Sequence, residues 1–315
     1  MPAFSASAPG KVILFGEHAV VYGQPAIAVP VRAVSAKASI TPDIQGPGGR
    51  VLIEAAQAGV AAGLSELAEG DPLAAAVRAA LKELGVSRPP AFKLRVNSTI
   101  PMAGGLGSGA AVSVAILRVV SAFLGHALSE EQVSQLAFEV EKLHHGTPSG
   151  IDNTVITYER PVFFEKDRPV EFLEVSAPFT LLIADSGGST PTRVTVAAVQ
   201  AAWQAEPERH ERIFVQIGEL ARQARRVMAA GDNEQLGPLM DTNHKLLQQL
   251  EVSSPELDAL VAAARRAGAL GAKLSGGGRG GNMIALVKAE EAEAVAAAVK
   301  RTGAVGTIIT TVRGS

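Results

Sequence analysis

Short apolar and β-branched runs dominate the first part of the chain, and longer helix-forming stretches dominate the second. Lys11–Phe15 is apolar and Val31–Ile40 is rich in β-branched residues, so both predict strands. Gly46-Pro47-Gly48-Gly49 predicts a turn, followed by a strand at Val51–Glu54. Asp71-Pro72 predicts the start of a helix running to Leu84, with aspartate suited to the N-cap and proline to the first helical position. A strand at Phe92–Val96, a glycine-rich loop at Gly104–Gly109 and an apolar helix at Ala110–Phe123 come next. Ser129-Glu130-Glu131 predicts the cap of another helix reaching His144 or His145, and Val155–Phe164 and Phe179–Ala184 predict strands.

After Asp185 the pattern turns mostly helical, over 194–205, 208–230, 233–250 and 255–267. It closes with a strand at Ala272–Ser275, a glycine run, a strand at Met283–Val287, a helix at Ala289–Arg301 and a strand at Gly306–Val312. A strand-rich first part and a helix-rich second part, without tandem repeats, predict two α+β domains, 1–176 and 177–315.

Composition narrows the class. The 315 residues, 47% of them hydrophobic, supply a substantial core and exclude compositional disorder and a fibrous architecture. The longest apolar stretches, such as Ala110–Val120, are too short to span a bilayer, and MPAFSASAPGKV predicts no secretory signal. With no cysteine there is no disulfide framework, thiolate metal site or cysteine nucleophile, which agrees with a cytoplasmic protein. A net charge of −2 gives no reason to expect nucleic acid or a membrane as partner. Charge must act locally, inside a site.

The common nucleotide motifs fail. No lysine follows a G-x-x-x-x-G loop. Gly276, Gly278 and Gly281 mimic a dinucleotide fingerprint but precede a strand, and Gly105, Gly107 and Ala110 open a helix without the strand and acid that should follow. Yet the segment from Pro101 to Ser108, between a strand and a helix, presents free backbone N–H groups and the positive helix end together. That arrangement suits a phosphate cradle, with the Ser108 hydroxyl available to phosphate or magnesium; it also reads as a glycine-rich turn with Ser108 as N-cap. In SAPGKVILFGEHAVVYGQPAIA, Lys11 opens a strand and Glu17 and His18 follow its end, where side chains project into clefts. In EKLHHGTPSGIDN, Glu141 near a helix end and Asp152 after a loop can serve different roles, one on a metal and one on a proton, or be a helix-surface glutamate and an N-capping aspartate.

Together these segments resemble the GHMP kinase superfamily. APGKVILFGEHAVVYG and HGTPSGIDN resemble its mevalonate-phosphorylating branch. PMAGGLGSGAA resembles the family's phosphate loop P-x-G-x-G-L-G-S-S-A, and KLSGGGRGGNMIAL resembles K-x-T-G-A-G-G-G-G. Departures are Ala103 for a glycine, Gly109 for a serine, Ser275 for a threonine, Gly277 for an alanine and Arg279 for a glycine. Arg279 reads as contacting a phosphate or an acid, or as pointing to solvent.

The resemblance implies a two-domain α+β fold: a strand-rich N-terminal domain, C-terminal helices on an antiparallel sheet, and an active site in the cleft between them. It implies ATP- and Mg2+-dependent phosphorylation of the primary hydroxyl of mevalonate. Asp152 would orient or deprotonate that hydroxyl, and Lys11 would hold Asp152 ionised and neutralise charge on the moving phosphoryl group. ATP would lie on Pro101, Ala103, Gly104, Gly105, Leu106, Gly107, Ser108, Gly109 and Ala110, with Ser108 and Glu141 on magnesium. His18, Glu17, Thr192 and Arg193 would bind the acceptor. A kinase for a related alcohol (phosphomevalonate, homoserine or another mevalonate hydroxyl) and a non-catalytic nucleotide sensor stay open beside this reading, as does a homodimer.

Overall fold

The computed structural model describes residues 4–101, 105–145, 149–166, 168–188 and 190–314. The chain divides into two compact units: residues 1–10, 34–101 and 107–159 form one, and 11–33, 102–106 and 160–315 the other. This differs from a single boundary near Ala177. Strands β1 (Phe4–Phe15) and β2 (Ala26–Pro42) are long enough to contribute residues to both units, so the division is not a cut at one point in the chain.

In the first unit the end of β2 pairs antiparallel with β5 (Phe92–Ser98), through Ala36–Pro42. Strand β3 (Val51–Ala55) runs parallel to β5 and antiparallel to β4 (Val60–Gly63). Helix α1 (Pro72–Glu83) begins as the sequence predicts, the Asp71 side chain accepting from the Ala74 N–H at 2.9 Å. It packs against α2 (Ser108–Phe123) and α3 (Glu130–His145). Helix α2 is apolar on nearly every face, and its residues from Ala110 to Ser121 are buried at ten positions, which makes it the centre of this core.

A strand predicted over Val155–Phe164 is corrected by the structure. Ile151–Tyr158 forms helix α4, and only Val162–Phe164 is extended, as β6. Its β-branched run favours a strand in isolation, but long-range bonds override propensity. Asn153 Nδ2 donates to the Ser134 carbonyl at 3.0 Å and to its hydroxyl at 2.9 Å, and Thr154 donates back to the Gly150 carbonyl at 2.7 Å. From α2, Arg118 reaches the far end, pairing with Glu159 at 2.9 Å and donating to the Thr157 carbonyl at 2.6 Å.

In the second unit β6 pairs with Ala26–Ala28 of β2 and with β7 (Glu171–Phe172). A separate antiparallel sheet has the order β11-β8-β10-β9, from β8 (Phe179–Asp185), β9 (Gly271–Ser275), β10 (Asn282–Val287) and β11 (Gly306–Val312). Helices α5 (Thr192–Ala205), α6 (Pro207–Ala230), α7 (Leu236–Gln249), α8 (Pro255–Arg266) and α9 (Ala292–Arg301) complete it, with α7, α8 and α9 against the sheet. β9 and β10 are buried along their whole length, as the apolar run Met283–Val287 of β10 requires, and β9 buries Lys273 with its apolar residues. No helix among the described residues is long and apolar enough to cross a membrane.

Candidate active site

Strand β1 carries the segment from Lys11 onward into the second unit. Its Lys11 is buried, and the Lys11 N–H donates to the Leu106 carbonyl at 2.9 Å, tying the strand to the glycine-rich loop. Gly16 then turns the chain at φ +98°, where a Cβ would run into the Ala26 backbone. Glu17 and His18 follow, both buried. Behind them Tyr22 stacks on Phe214, ring centroids 4.1 Å apart, and lies 5.2 Å from Trp203, which anchors the single helical turn Ala19–Tyr22.

Three interactions join this segment to the stretch KLSGGGRGGNMIAL. The Ser275 hydroxyl donates to the Ile13 carbonyl at 2.8 Å, Glu17 forms an ion pair with Lys273, and His18 Nε2 lies 3.0 Å from the Gly277 carbonyl. A carbonyl only accepts, so Nε2 of His18 carries the proton and Nδ1 is left as an acceptor. Burial, with the positive charge of Arg279, lowers the His18 pKa to about 4 against the pull of that hydrogen bond. The imidazole is neutral at physiological pH.

Glu17 and Lys273 sit in opposed fields: burial raises the carboxyl and lowers the ammonium, and each partner's charge counters the effect. Asn243 Nδ2 adds a 3.4 Å contact to Glu17, and Lys273 donates to the Leu274 carbonyl at 2.7 Å. His244 supports the same strand, with Nδ1 accepting from the Leu274 N–H at 3.3 Å and Nε2 facing Asp258 at 3.1 Å. Its pKa too is lowered to about 4, by burial first. With its carboxylate so engaged, Glu17 is a brace between two strands, and His18 is the group that this brace orients.

The glycine run after β9 is stitched to the loop after β8. Ser186 N–H donates to the Gly281 carbonyl at 2.9 Å, Gly281 N–H to Gly188 at 2.5 Å, and the Thr190 hydroxyl to the Arg279 carbonyl at 2.8 Å. A Cβ on Gly277 would lie 3.0 Å from Thr192 Oγ1, so Thr192, the first residue of α5, sits directly over this loop. His18, Gly277, Thr192 and the backbone of Arg279 therefore converge, whereas Arg193 is exposed one residue on and makes no hydrogen bond to them among the described residues.

The remaining predicted residues belong mainly to the first unit. Ser108 is the first residue of α2, after Gly107 at φ +73°, with Gly105 at φ +72° and Leu106 buried. Pro101 precedes the loop, Gly109 is exposed and Ala110 is buried; Ala103 and Gly104 lie outside the described residues. Glu141 is a buried carboxylate on α3, and Asp152 is half-buried in the first turn of α4. These three helices pack pairwise, so Ser108, Glu141 and Asp152 ride on one rigid helical cluster.

Among the described residues no group of three or more His, Asp or Glu side chains forms a complete metal cage. One hydroxyl and one buried carboxylate instead fit a hard cation that takes most of its oxygen ligands from phosphates and water, which is how Mg2+ binds.

Sequence reasoning did not assign Lys273, Asn243 or His244 any role. Lys273 carried a signal: a lysine inside the apolar strand GAKLS needs a buried acid as partner.

The chain matches the GHMP kinases N terminal domain over residues 72–160 and the GHMP kinases C terminal domain over 220–305. A mevalonate kinase of Thermococcus onnurineus is 38% identical over 308 residues, 91% of this chain and 90% of the relative. The crystal structure of L. major mevalonate kinase in complex with R-mevalonate is 30% identical with a TM-score of 0.85, covering 99% of this chain and 96% of that one. The structure of Methanococcus jannaschii mevalonate kinase also gives a TM-score of 0.85, at 26% identity, covering 100% of this chain and 99% of that one. The chain belongs to the GHMP kinases and, within that superfamily, to the mevalonate kinase family.

Proposed function

We propose that the chain transfers the γ-phosphoryl group of ATP to the primary hydroxyl of mevalonate. The observation that carries this reading is the likeness, over nearly the whole chain, to a structure solved with R-mevalonate. Retention of Lys11, His18, Ser108, Glu141 and Asp152 supports it.

Asp152 accepts the proton of the acceptor hydroxyl as its oxygen bonds to the γ-phosphorus. The bond from that phosphorus to the β,γ-bridging oxygen breaks, ADP leaves, and the proton passes from Asp152 to solvent. Lys11 offsets charge on the moving phosphoryl group, and the backbone of residues 104–108 cradles the phosphates. Ser108 and Glu141 hold magnesium, which when bound offsets the charge on the β- and γ-phosphates. Neutral His18 offers Nδ1 as an acceptor to a hydroxyl of mevalonate, and Thr192 offers a hydroxyl beside it; Glu17 keeps His18 in place. A cytoplasmic location is part of this reading, supported by the absence of cysteine.

A coupled ADP-release assay against mevalonate, phosphomevalonate, homoserine and galactose tests it. Mevalonate is expected to give the highest kcat/KM. A clear preference for another member of the panel overturns the substrate and leaves the fold untouched.

A further inference from the structure

The chain reverses at His18 through a strained turn. The His18 backbone stands at φ +61° and ψ −50°, and the Ala19 N–H donates to the Glu17 carbonyl at 2.7 Å. Together these define a γ-turn of the rare kind, with φ about +75° and ψ about −65°, the mirror image of the common inverse turn. Histidine carries a Cβ into a region that glycine alone enters freely, so the conformation persists only where the surroundings over-determine it.

Each residue of the turn is held. The Glu17 carboxylate pairs with Lys273 and takes the longer contact from Asn243 Nδ2 at 3.4 Å. His18 Nε2 donates to the Gly277 carbonyl at 3.0 Å, and Ala19 is fully buried. The Val20 N–H, donating to the Gly16 carbonyl at 3.1 Å, closes a second ring around the turn. Lys273 also donates to the Leu274 carbonyl at 2.7 Å, which fixes its ammonium on the buried strand β9. Lys273 and Gly277 are four residues apart, so one short stretch of chain grips both Glu17 and His18. An apolar pair of the same volume would pack as well as this buried ion pair. What the charges add is direction: they fix the rotation of the Glu17 side chain, on the residue whose carbonyl closes the turn.

We propose that Lys273 is a positioning residue for the acceptor: through Glu17 it keeps the γ-turn wound, so that the His18 imidazole meets the substrate in one orientation. The inference rests on the reading of His18 as an acceptor contact. Without the pair the turn relaxes toward the negative-φ backbone that histidine ordinarily adopts, and the imidazole leaves the Gly277 carbonyl.

The test is a cycle of variants in which kcat and KM are measured for mevalonate and for ATP. Glu17→Leu with Lys273→Met removes the pair without stranding a buried charge, so the chain still folds. It should nevertheless raise KM for mevalonate by about tenfold, the scale of one lost hydrogen bond to the substrate, with KM for ATP unchanged within about twofold. His18→Ala should raise KM for mevalonate at least as far. The pair variant added to His18→Ala should then contribute less than about twofold more, because residues that act through one group are not additive. Glu17→Gln neutralises the pair at constant size; its KM for mevalonate should rise about fivefold, and it takes the place of the pair variant should that one fail to fold. A KM for mevalonate within about twofold of wild type in the folded variant overturns the inference. So does a rise that persists undiminished in the His18→Ala background, which would put Glu17 on the acceptor directly. An unaltered KM for mevalonate in His18→Ala, or a wild type that does not phosphorylate mevalonate, instead overturns the acceptor reading on which the inference stands.

Discussion

Glu17 and Lys273, 256 residues apart in the chain, form an ion pair whose side chains are only 1% and 0% exposed. The pair fastens the end of β1 to the middle of β9, and the residue next to Glu17 is His18. Buried pairs of this kind contribute little against a well-packed apolar pair, yet removing one partner strands a buried charge.

Glu17→Gln and Lys273→Met should therefore each lower stability by about 3–5 kcal/mol, while Glu17→Leu with Lys273→Met should recover most of the loss. Urea midpoints of the three variants decide it. Single variants within about 0.5 kcal/mol of wild type, the range of ordinary surface substitutions, would contradict a buried ionic brace.

The two buried histidines set a pH dependence of known sign. His18 and His244 both have folded pKa values lowered to about 4, from an ordinary 6.5. Between those values the unfolded chain binds protons that the folded chain refuses, so stability rises with pH through this window and is lost as pH falls toward 4. Each histidine adds a slope of up to about 1.4 kcal/mol per pH unit. His244→Gln should flatten the stability profile between pH 4 and 6.5 by about one such proton; an unchanged slope would mean that His244 is protonated in the folded state.

Asp152→Asn keeps size and hydrogen-bonding reach but loses charge and basicity. Turnover should fall by roughly 10² or more, the scale of removing a general base. Nucleotide affinity, measured by equilibrium titration, should change little, because the phosphate loop is untouched. Near-normal turnover would leave Asp152 a residue of the first turn of α4 and nothing more.

Gly277→Ala restores the residue usual in related kinases, but here its Cβ would meet Thr192 Oγ1 at 3.0 Å and Thr192 Cα at 3.3 Å. The start of α5 must then shift by a few tenths of an ångström. KM for the acceptor should rise severalfold, by about 1 kcal/mol of binding, with KM for ATP unchanged. Equal effects on both substrates would separate Thr192 from the acceptor.

Local chemistry made much of the fold legible. Asp71-Pro72 announced α1 because capping is a contact within four residues, and the β11 prediction, Gly306–Val312, matches the strand from end to end. Helix α4 was illegible for the opposite reason: Asn153 is held by Ser134, and no periodicity in the β-branched sequence IDNTVITY records that partner. Motif resemblance brought His18 and Lys11 forward as candidates, but the meaning of Glu17 depended on Lys273, whose place in GAKLS signals a buried acid without saying which one. Arg279 was visible as a departure; only the hydrogen bonds to Glu251, Val252 and Thr190 show what fixes it.

The most direct measurement is identification of the product when the purified chain is incubated with ATP and R-mevalonate, with and without Mg2+. Phosphorus NMR should show one new phosphomonoester, coupled to the two protons of the C5 methylene, appearing with ADP in equal amounts and only when magnesium is present. A phosphate on the tertiary hydroxyl, or ADP released without any phosphorylated mevalonate, would contradict the account.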